Sequence, residues 1–488
     1  MEERKGFGTN FGFLMAAVGS AVGLGNIWGF PNKMGASGGF TFLVIYLVLA
    51  VLCGFIVMVG ELALGRKTRH GAVGAYKALS KKFKWMGWMG ILSAFFILFF
   101  YCALGGYCIK YTVLNIGDLF HAGFGANALA ETAAASGNSL GAEVFGAFMS
   151  SPTEAIIYGL IFVAITMIIV LGGIGGGIEK VCSVGMPALF VMLLICIVRA
   201  CTLEGAVDGL KYMFVPGWAV TNGVIDKAPN FFGVLSAAGG QMFFSLSLGM
   251  GIMITYGSYL DKKENLQKNA LLIIIMDTLV ALMAGLCVIP GRFALDPTGS
   301  LGGPKLLFVT MQNVFSRMGP IGPIFGILFY LLVVFAAISS SISLLEAVVA
   351  HFVDNARDAG KGDKRKAYAL IAAVAVGVGA MLICADSLGE ASFTPWRLLN
   401  LPAESIRTWN DCWLDFFDML SEGIMMPLGA LMMTLMVGWE LGPDVVKDEC
   451  EASGHAMASY GFYKVCIKYI TPLCMILVLY GQIKEFFF

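Results

Sequence analysis

The stretch from Phe11 to Phe30 is apolar enough to enter a bilayer, yet it carries Gly19, Gly23 and Gly25, three glycines within seven residues. Asn26 and the pair Phe30-Pro31 close it. Glycine is a poor helix former. In hydrocarbon every backbone N–H and C=O must find an internal partner. A helix that breaks at that depth has to line a buried site or a water-filled cavity. Freed carbonyls there can coordinate a cation, and freed N–H groups can hold a carboxylate. The plainer alternative is a flexible helix whose glycines allow close packing.

Composition extends that reading to the whole chain. Of its 488 residues, 58% are hydrophobic and only 13% are charged, against roughly 25% charged in soluble proteins. This excludes a soluble protein and predicts an all-α, polytopic membrane protein in contact with lipid. The net charge of zero gives no ground for a nucleic-acid partner. Met1 to Lys5 is too short and too acidic for the charged region of a cleaved signal, so the first apolar segment is expected to be retained. Most of the twelve cysteines, among them Cys53, Cys102, Cys182, Cys196 and Cys287, sit inside apolar runs, and none forms a close CxxC pattern. They read as small core residues, and no organic cofactor is expected.

Taking about 20 residues per crossing, spans fall at 11–35, 40–65, 88–116, 154–171, 181–201, 231–258, 269–291, 319–352, 367–385, 412–438 and 462–483, which predicts about eleven helices. Lys and Arg cluster at 66–84, 262–268 and 357–366, whereas the loop from Asp118 to Pro152 has neither. The positive-inside rule then puts the N-terminus in the cytoplasm and, with eleven spans, Phe488 outside. Ser245 to Gly251 interrupts the sixth segment much as Gly19 to Gly25 interrupts the first. Equivalent points lie five helices apart, so the two halves are inverted. The expected units are 1–201 (helices 1–5), 202–440 (helices 6–10) and 441–488 (an added helix 11).

Polar residues are expensive at this depth. Asp277 sits at the centre of a helix, where an acid costs about 2.5–3.5 kcal/mol on insertion scales. A bound cation would compensate it; a protonated or hydrogen-bonded structural Asp is the alternative. Ser339-Ser340-Ser341 offers neutral oxygens of the kind hard cations prefer, or simply small residues for packing. Glu61 reads as an acceptor for broken-helix backbone. Gln241 reads as a tie between outer gate groups, and Glu346 has no assigned role.

Five segments together resemble the bacterial neurotransmitter:sodium symporters, the LeuT-type transporters that are the type case of inverted repeats with broken first and sixth helices. They are Gly19 to Pro31, Glu61 to Arg66, Gln241 to Tyr259, Phe335 to Ser341 and Trp413 to Asp418, in family order along nearly the whole chain. The resemblance implies a 5+5 inverted repeat and two sodium sites. The first would use the Ala21 carbonyl, Asn26, Ser245, Asp277 and the substrate carboxylate. The second would use the carbonyls of Gly19, Val22 and Ala336 with the hydroxyls of Ser339 and Ser340. Ser245 and Ser339 stand where the family often has Thr, and Asp277 where it often has Asn; each keeps an oxygen. Because Asp277 supplies a fixed negative charge, chloride-independent transport is expected.

By the same resemblance the substrate pocket comprises Ser20, Ala21, Leu24, Gly25, Ile97, Tyr101, Phe244, Ser247, Met250, Ser340 and Leu344. None is charged, so neutral, mostly hydrophobic amino acids are expected, aromatic ones included. Arg4 and Asp354 match the family's inner gate pair, beside Tyr259, with Phe7 where Trp is common. At the outer gate the usual Arg is replaced by Gly29, although its partner Asp418 is present. Lys33, one helical turn on from Gly29, is expected to take over part of that gate; a solvated vestibule residue is the alternative. The implied function is sodium-driven import across the bacterial plasma membrane by alternating access, with no covalent chemistry and hence no enzyme. A proton-coupled or sodium-independent carrier and a non-transporting amino acid sensor are the alternatives. The resemblance says nothing of oligomeric state.

Overall fold

The computed structural model describes residues 7–297, 303–361, 364–391, 393–398, 400 and 411–487. Among them all regular secondary structure is helical. Nine helices are long and apolar enough to cross a bilayer: α2 (Phe40–Thr68), α3 (Met86–Leu119), α4 (Pro152–Leu171), α5 (Ile174–Cys201), α7 (Leu266–Leu295), α8 (Gly319–Asp358), α9 (Arg365–Gly389), α10 (Trp413–Leu441) and α11 (Tyr460–Lys484). The first span is a pair, α1a (Asn10–Ala21) and α1b (Gly25–Ala36), bent by 45°. The sixth is α6a (Phe231–Ser245) and the short α6b (Ile252–Gly257). Burial sorts the helices by position. In their most apolar windows 78% of α3 is buried but only 28% of α5, so α3 runs through the middle and α5 lies at the outside of the bundle.

Each break has a local cause and a local repair. In α1, Val22 takes φ −76° and ψ 97°, outside the helical region, and the chain restarts in a wide turn over Gly25–Gly29. In α6 the interruption expected at Ser245 to Gly251 is present: Ser247, Gly249 and Gly251 take φ of 54°, 80° and 77°. Left-handed residues cannot continue a right-handed helix. The released amide of Gly249 donates to Glu61 Oε1 of α2 at 2.7 Å, the backbone-holding role expected of that acid.

Arg66 departs from the simple loop picture. It counts toward the positive loop after the second span, yet it is fully buried. Its Nε donates to Glu449 Oε1 at 2.8 Å and its Nη1 to the Glu264 carbonyl at 2.6 Å. A buried guanidinium needs that many acceptors to offset lost hydration. Arg66 thus ties α2 to the connection between α6b and α7 and to the helix Asp444–Glu451.

Gly249 gives a test of the break. A Cβ there would approach the Met426 carbonyl oxygen to 2.2 Å at a φ of 80°. Gly249→Ala should destabilise the fold by at least about 1–2 kcal/mol from backbone strain alone, read as a lowered melting temperature in detergent. Gly146→Ala, on an exposed helix with open space around it, should be neutral or slightly stabilising.

Candidate functional site

The two breaks lie side by side. Ser247 Oγ, in the break of α6, donates to the Ser20 carbonyl at 3.0 Å. Between them is a small cavity of 10 Å³ lined by Ser20, Ala21, Gly25, Ile97, Tyr101, Phe244, Ser247, Met250, Ser340 and Leu344. All ten belong to the expected pocket. Leu24 does not line it; this buried residue contributes its amide, which donates to Tyr101 Oη at 2.7 Å. Tyr101 thereby caps the break and keeps its own O–H free to donate. Glycine at position 23 is required for this approach, because a Cβ there would come within 2.1 Å of Tyr101 Oη and 2.2 Å of Ser340 Oγ. The lining is apolar and hydroxylic, with no formal charge.

A second polar knot adjoins the cavity at Asp277, which is fully buried. Asn26 Nδ2 donates to its Oδ1 at 2.7 Å and to its carbonyl at 3.0 Å. Ser245 Oγ lies 3.0 Å from both carboxylate oxygens. Tyr46 of α2 adds a third donor, at 3.2 Å from Oδ2. Nothing in the Tyr46 neighbourhood of the sequence marked it: it sits in the apolar run Phe40 to Leu49, where an aromatic residue reads as core. Asn26 also accepts from the Gly23 amide at 3.1 Å, so one side chain joins the α1 break to Asp277.

The serine run of α8 meets the other side of the α1 break. Ser339 Oγ lies 3.3 Å from the Val22 carbonyl oxygen and 2.9 Å from that of Ala336. Ser340 Oγ lies 3.3 Å from the Gly19 carbonyl and 3.0 Å from that of Ser20. The five groups expected for the second ion site are therefore gathered in one place, and all present oxygen. Such a set suits a hard monovalent cation: each hydroxyl can rotate its proton outward and turn a lone pair inward. Ser341 faces away, bonded to Thr166 of α4 at 2.8 Å. Ser343, not anticipated, lies 2.7 Å from Ser20 Oγ.

Above the cavity, Lys33 of α1b forms an ion pair with Glu422 of α10. The expectation named Asp418 as the outer acid. Asp418 is adjacent, its carboxyl within hydrogen-bonding reach of Glu422 and in the field of Lys33. Glu422 escaped notice because it stands one turn further along α10 in a plain helical context. A wide turn over Met419–Met425 brings it there. Gln241, expected to tie outer gate groups together, donates from Nε2 to the Gly25 carbonyl at 2.6 Å. Its Oε1 fills the space beside Gly29, where a Cβ would be only 2.7 Å away. Trp28 Nε1 donates to the Gly303 carbonyl at 3.0 Å, and the Gly303 amide donates to Asn32 Oδ1 at 2.8 Å. The loop after α7 is thus clasped to α1b.

Below the cavity, Phe7 packs edge-on against Tyr256 and Tyr259, with ring centres 5.6 and 6.2 Å apart. Tyr259 Oη donates to Glu346 Oε1 at 2.7 Å, and Arg365 of α9 pairs with both oxygens of the same fully buried carboxylate. This gives Glu346 its role: it joins α6b, α8 and α9. Asp354 accepts from the Gly71 amide at 2.8 Å and faces Arg357 at 3.5 Å. Arg4, its expected partner, lies outside the described residues.

Two broken helices around a shared cavity, held within long helices, define a membrane transporter of the LeuT fold. The family model described as sodium:neurotransmitter symporter family matches residues 4–120 and 152–394, and the chain belongs to that family. It is 32% identical over 485 residues to an uncharacterized sodium-dependent transporter of Bacillus subtilis, covering 96% of both chains. To one from Methanocaldococcus jannaschii it is 29% identical, covering 91% of this chain and 84% of that one. The crystal structure of MhsT in complex with L-phenylalanine superimposes with a TM-score of 0.81 at 31% identity, covering 98% of this chain and all of the other.

The Lys33–Glu422 pair is testable by itself. Lys33→Ala and Glu422→Ala should be non-additive in a double-mutant cycle on thermal unfolding. The coupling expected is about 0.5–3 kcal/mol, weakening as salt rises. A larger coupling between Lys33 and Asp418 than between Lys33 and Glu422 would restore Asp418 as the main partner.

Proposed function

We propose that this protein is a sodium-coupled symporter that imports neutral, mostly hydrophobic amino acids across the bacterial plasma membrane by alternating access, without a requirement for chloride. The observation that carries the substrate class is the lining of the central cavity. It offers backbone polar groups and hydroxyls at the helix breaks, and Ile97, Phe244, Met250 and Leu344 elsewhere. A charged side chain would be desolvated there without a partner, at a cost of several kcal/mol. The L-phenylalanine held by MhsT supports the same class.

In this reading the amino acid carboxylate meets the Tyr101 hydroxyl and the Leu24-Gly25 backbone. The ammonium meets carbonyls at Ala21 and Phe244, with Ser247. One sodium ion is held by Ala21, Asn26, Ser245, Asp277 and the substrate carboxylate, which couples ion to substrate by direct contact. A second is held by Gly19, Val22, Ala336, Ser339 and Ser340. The contacts of Asn26 and Ser245 with Asp277 support the first assignment, and the closeness of the serine hydroxyls to the Gly19, Val22 and Ala336 carbonyls supports the second. Asp277 is a built-in anion beside the first ion, where an exchangeable chloride would otherwise balance charge. With a cavity of 10 Å³, the substrate must push Phe244 and Met250 aside to enter. Met250 suits this, being unbranched and flexible.

Binding of ion and amino acid bridges α1, α6 and α8 and favours closure of the outer layer at Lys33, Glu422 and Asp418. Release follows when the inner layer separates, from Phe7 and Tyr259 to Glu346, Asp354 and Arg4. The sodium gradient and the membrane potential drive the cycle, the latter worth about 2.3 kcal/mol per charge at 100 mV. The Lys and Arg distribution supports a cytoplasmic N-terminus.

The reading is tested by thermal shift of purified protein with each of the twenty amino acids, in sodium and in potassium. A few neutral amino acids should stabilise the protein in sodium alone. Equal stabilisation in both salts would overturn the ion assignments. Ser339→Ala should raise the sodium concentration for half-maximal uptake, since it removes one oxygen ligand without changing the pocket lining. Uptake should survive replacement of chloride by gluconate; its loss would reject the role given to Asp277.

A further inference from the structure

A second, larger cavity lies away from the helix breaks, at the end of the bundle that carries Lys33 and Asp418. Its volume is 280 Å³, and it sits between the C-terminal end of α3, the segment that follows it, and the approach to α8. Asn115, Asp118, His121, Gln312, Phe315 and Pro323 are among its walls. Nothing in the transport cycle described above uses it. We infer that this cavity is a second ligand site, for a small organic monocation with an apolar body.

Charge is what selects the ligand. Asp118 is 6% exposed, and among the described residues its carboxylate accepts from the Asn127 amide, at Oδ1, 2.7 Å. It stands in the last turn of α3, a helix of 34 residues. The negative end of the helix dipole lies there, so an acid is placed where a cation would be favoured. Among the described residues no Lys or Arg lines the cavity; His121 is the base on its wall, one turn on from Asp118. The neighbouring cation Arg317 is turned to Asp296, at 3.3 Å. The backbone carbonyls of this turn are already used by the amides of Phe120, His121 and Ala122, so the side chain is what remains to be answered.

The rest of the wall fixes what kind of cation fits. Asn115 and Gln312, both buried, are bonded to each other at 3.0 Å and present a neutral polar surface. Leu119, Phe315, Pro320 and Pro323 supply apolar area. Among the described residues Asp118 and His121 are the His, Cys, Asp or Glu side chains on the wall, too few for a transition-metal site, which takes three or four protein ligands. An ammonium group on an aromatic or aliphatic body matches both surfaces, at the lower end of the size range of small-molecule pockets.

The test uses the full-length transporter in detergent, saturated with sodium and with its transported amino acid so that the central cavity is filled. Phenethylamine is titrated and followed by thermal shift, with 2-phenylethanol as the uncharged comparison. The amine should stabilise the protein saturably and the alcohol should not. Asp118→Asn should weaken the amine about tenfold or more, as expected for loss of a charge-assisted hydrogen bond. Ser316→Trp, which fills the cavity and leaves Asp118 in place, should abolish the response even if Asp118→Asn folds poorly. Four results would each overturn the inference. They are no saturable shift in the unmodified protein, equal binding of the alcohol, unchanged affinity in both variants, and loss of the response whenever the transported amino acid is present.

Discussion

A backbone amide freed inside a membrane must be given a partner by the protein, and the central region of this transporter is organised by that demand. Two helices are broken side by side, and the groups exposed at the breaks are met by side chains, three of the four from a different helix. Glu61 takes the Gly249 amide, Tyr101 the Leu24 amide, Asn26 the Gly23 amide, and Gln241 the Gly25 carbonyl. These contacts do two things together. They make the breaks stable in a low dielectric, where an unmet amide costs several kcal/mol, and they fix which carbonyls are left over. The carbonyls of Gly19, Ser20 and Val22 lean toward nothing stronger than serine hydroxyls. A cation can displace such partners easily.

Much of this was legible in the chain because the membrane makes polar residues informative. Gly19, Gly23 and Gly25 in an apolar stretch, Asp277 in a run of Ile and Leu, and three serines in a row on α8 each had to be explained. All but Ser341, which faces Thr166, are found in the central cluster. Positions whose residue type is ordinary for a helix were not legible. Tyr46 donates to Asp277 but reads as one more aromatic among Phe and Leu. Ser343 touches Ser20 yet lies just beyond the serine run. Glu422 is ordinary in sequence and important only because a wide turn in α10 aims it at Lys33. Arg66 was counted as a loop charge, although Glu449, nearly four hundred positions away in sequence, draws it into the interior. Pairing across such distances leaves no periodic trace.

The outer layer is built on a lysine. Gly29 has no side chain to offer, and the space beside it is taken by Gln241, which is held by the α1 break itself. The positive charge that pairs with α10 is Lys33, whose long flexible stem reaches Glu422. A compact ammonium meets a carboxylate as a point charge, without the geometric match of a planar guanidinium fork. Such a contact is less directional and more easily screened.

The clasp between Gly303 and the pair Trp28 and Asn32 reaches beyond the layer it closes. Gly303 begins the segment that runs through Gln312 and Phe315 to the start of α8. The near end of that segment is tied to α1b, and its far end forms one wall of the outer cavity. In the transport cycle proposed above α1b changes its setting; a ligand of the outer cavity that prefers one setting of the wall would then shift the helix by the same free energy with which the helix shifts its binding. The loop is in that sense a shared variable between two sites that touch no common side chain.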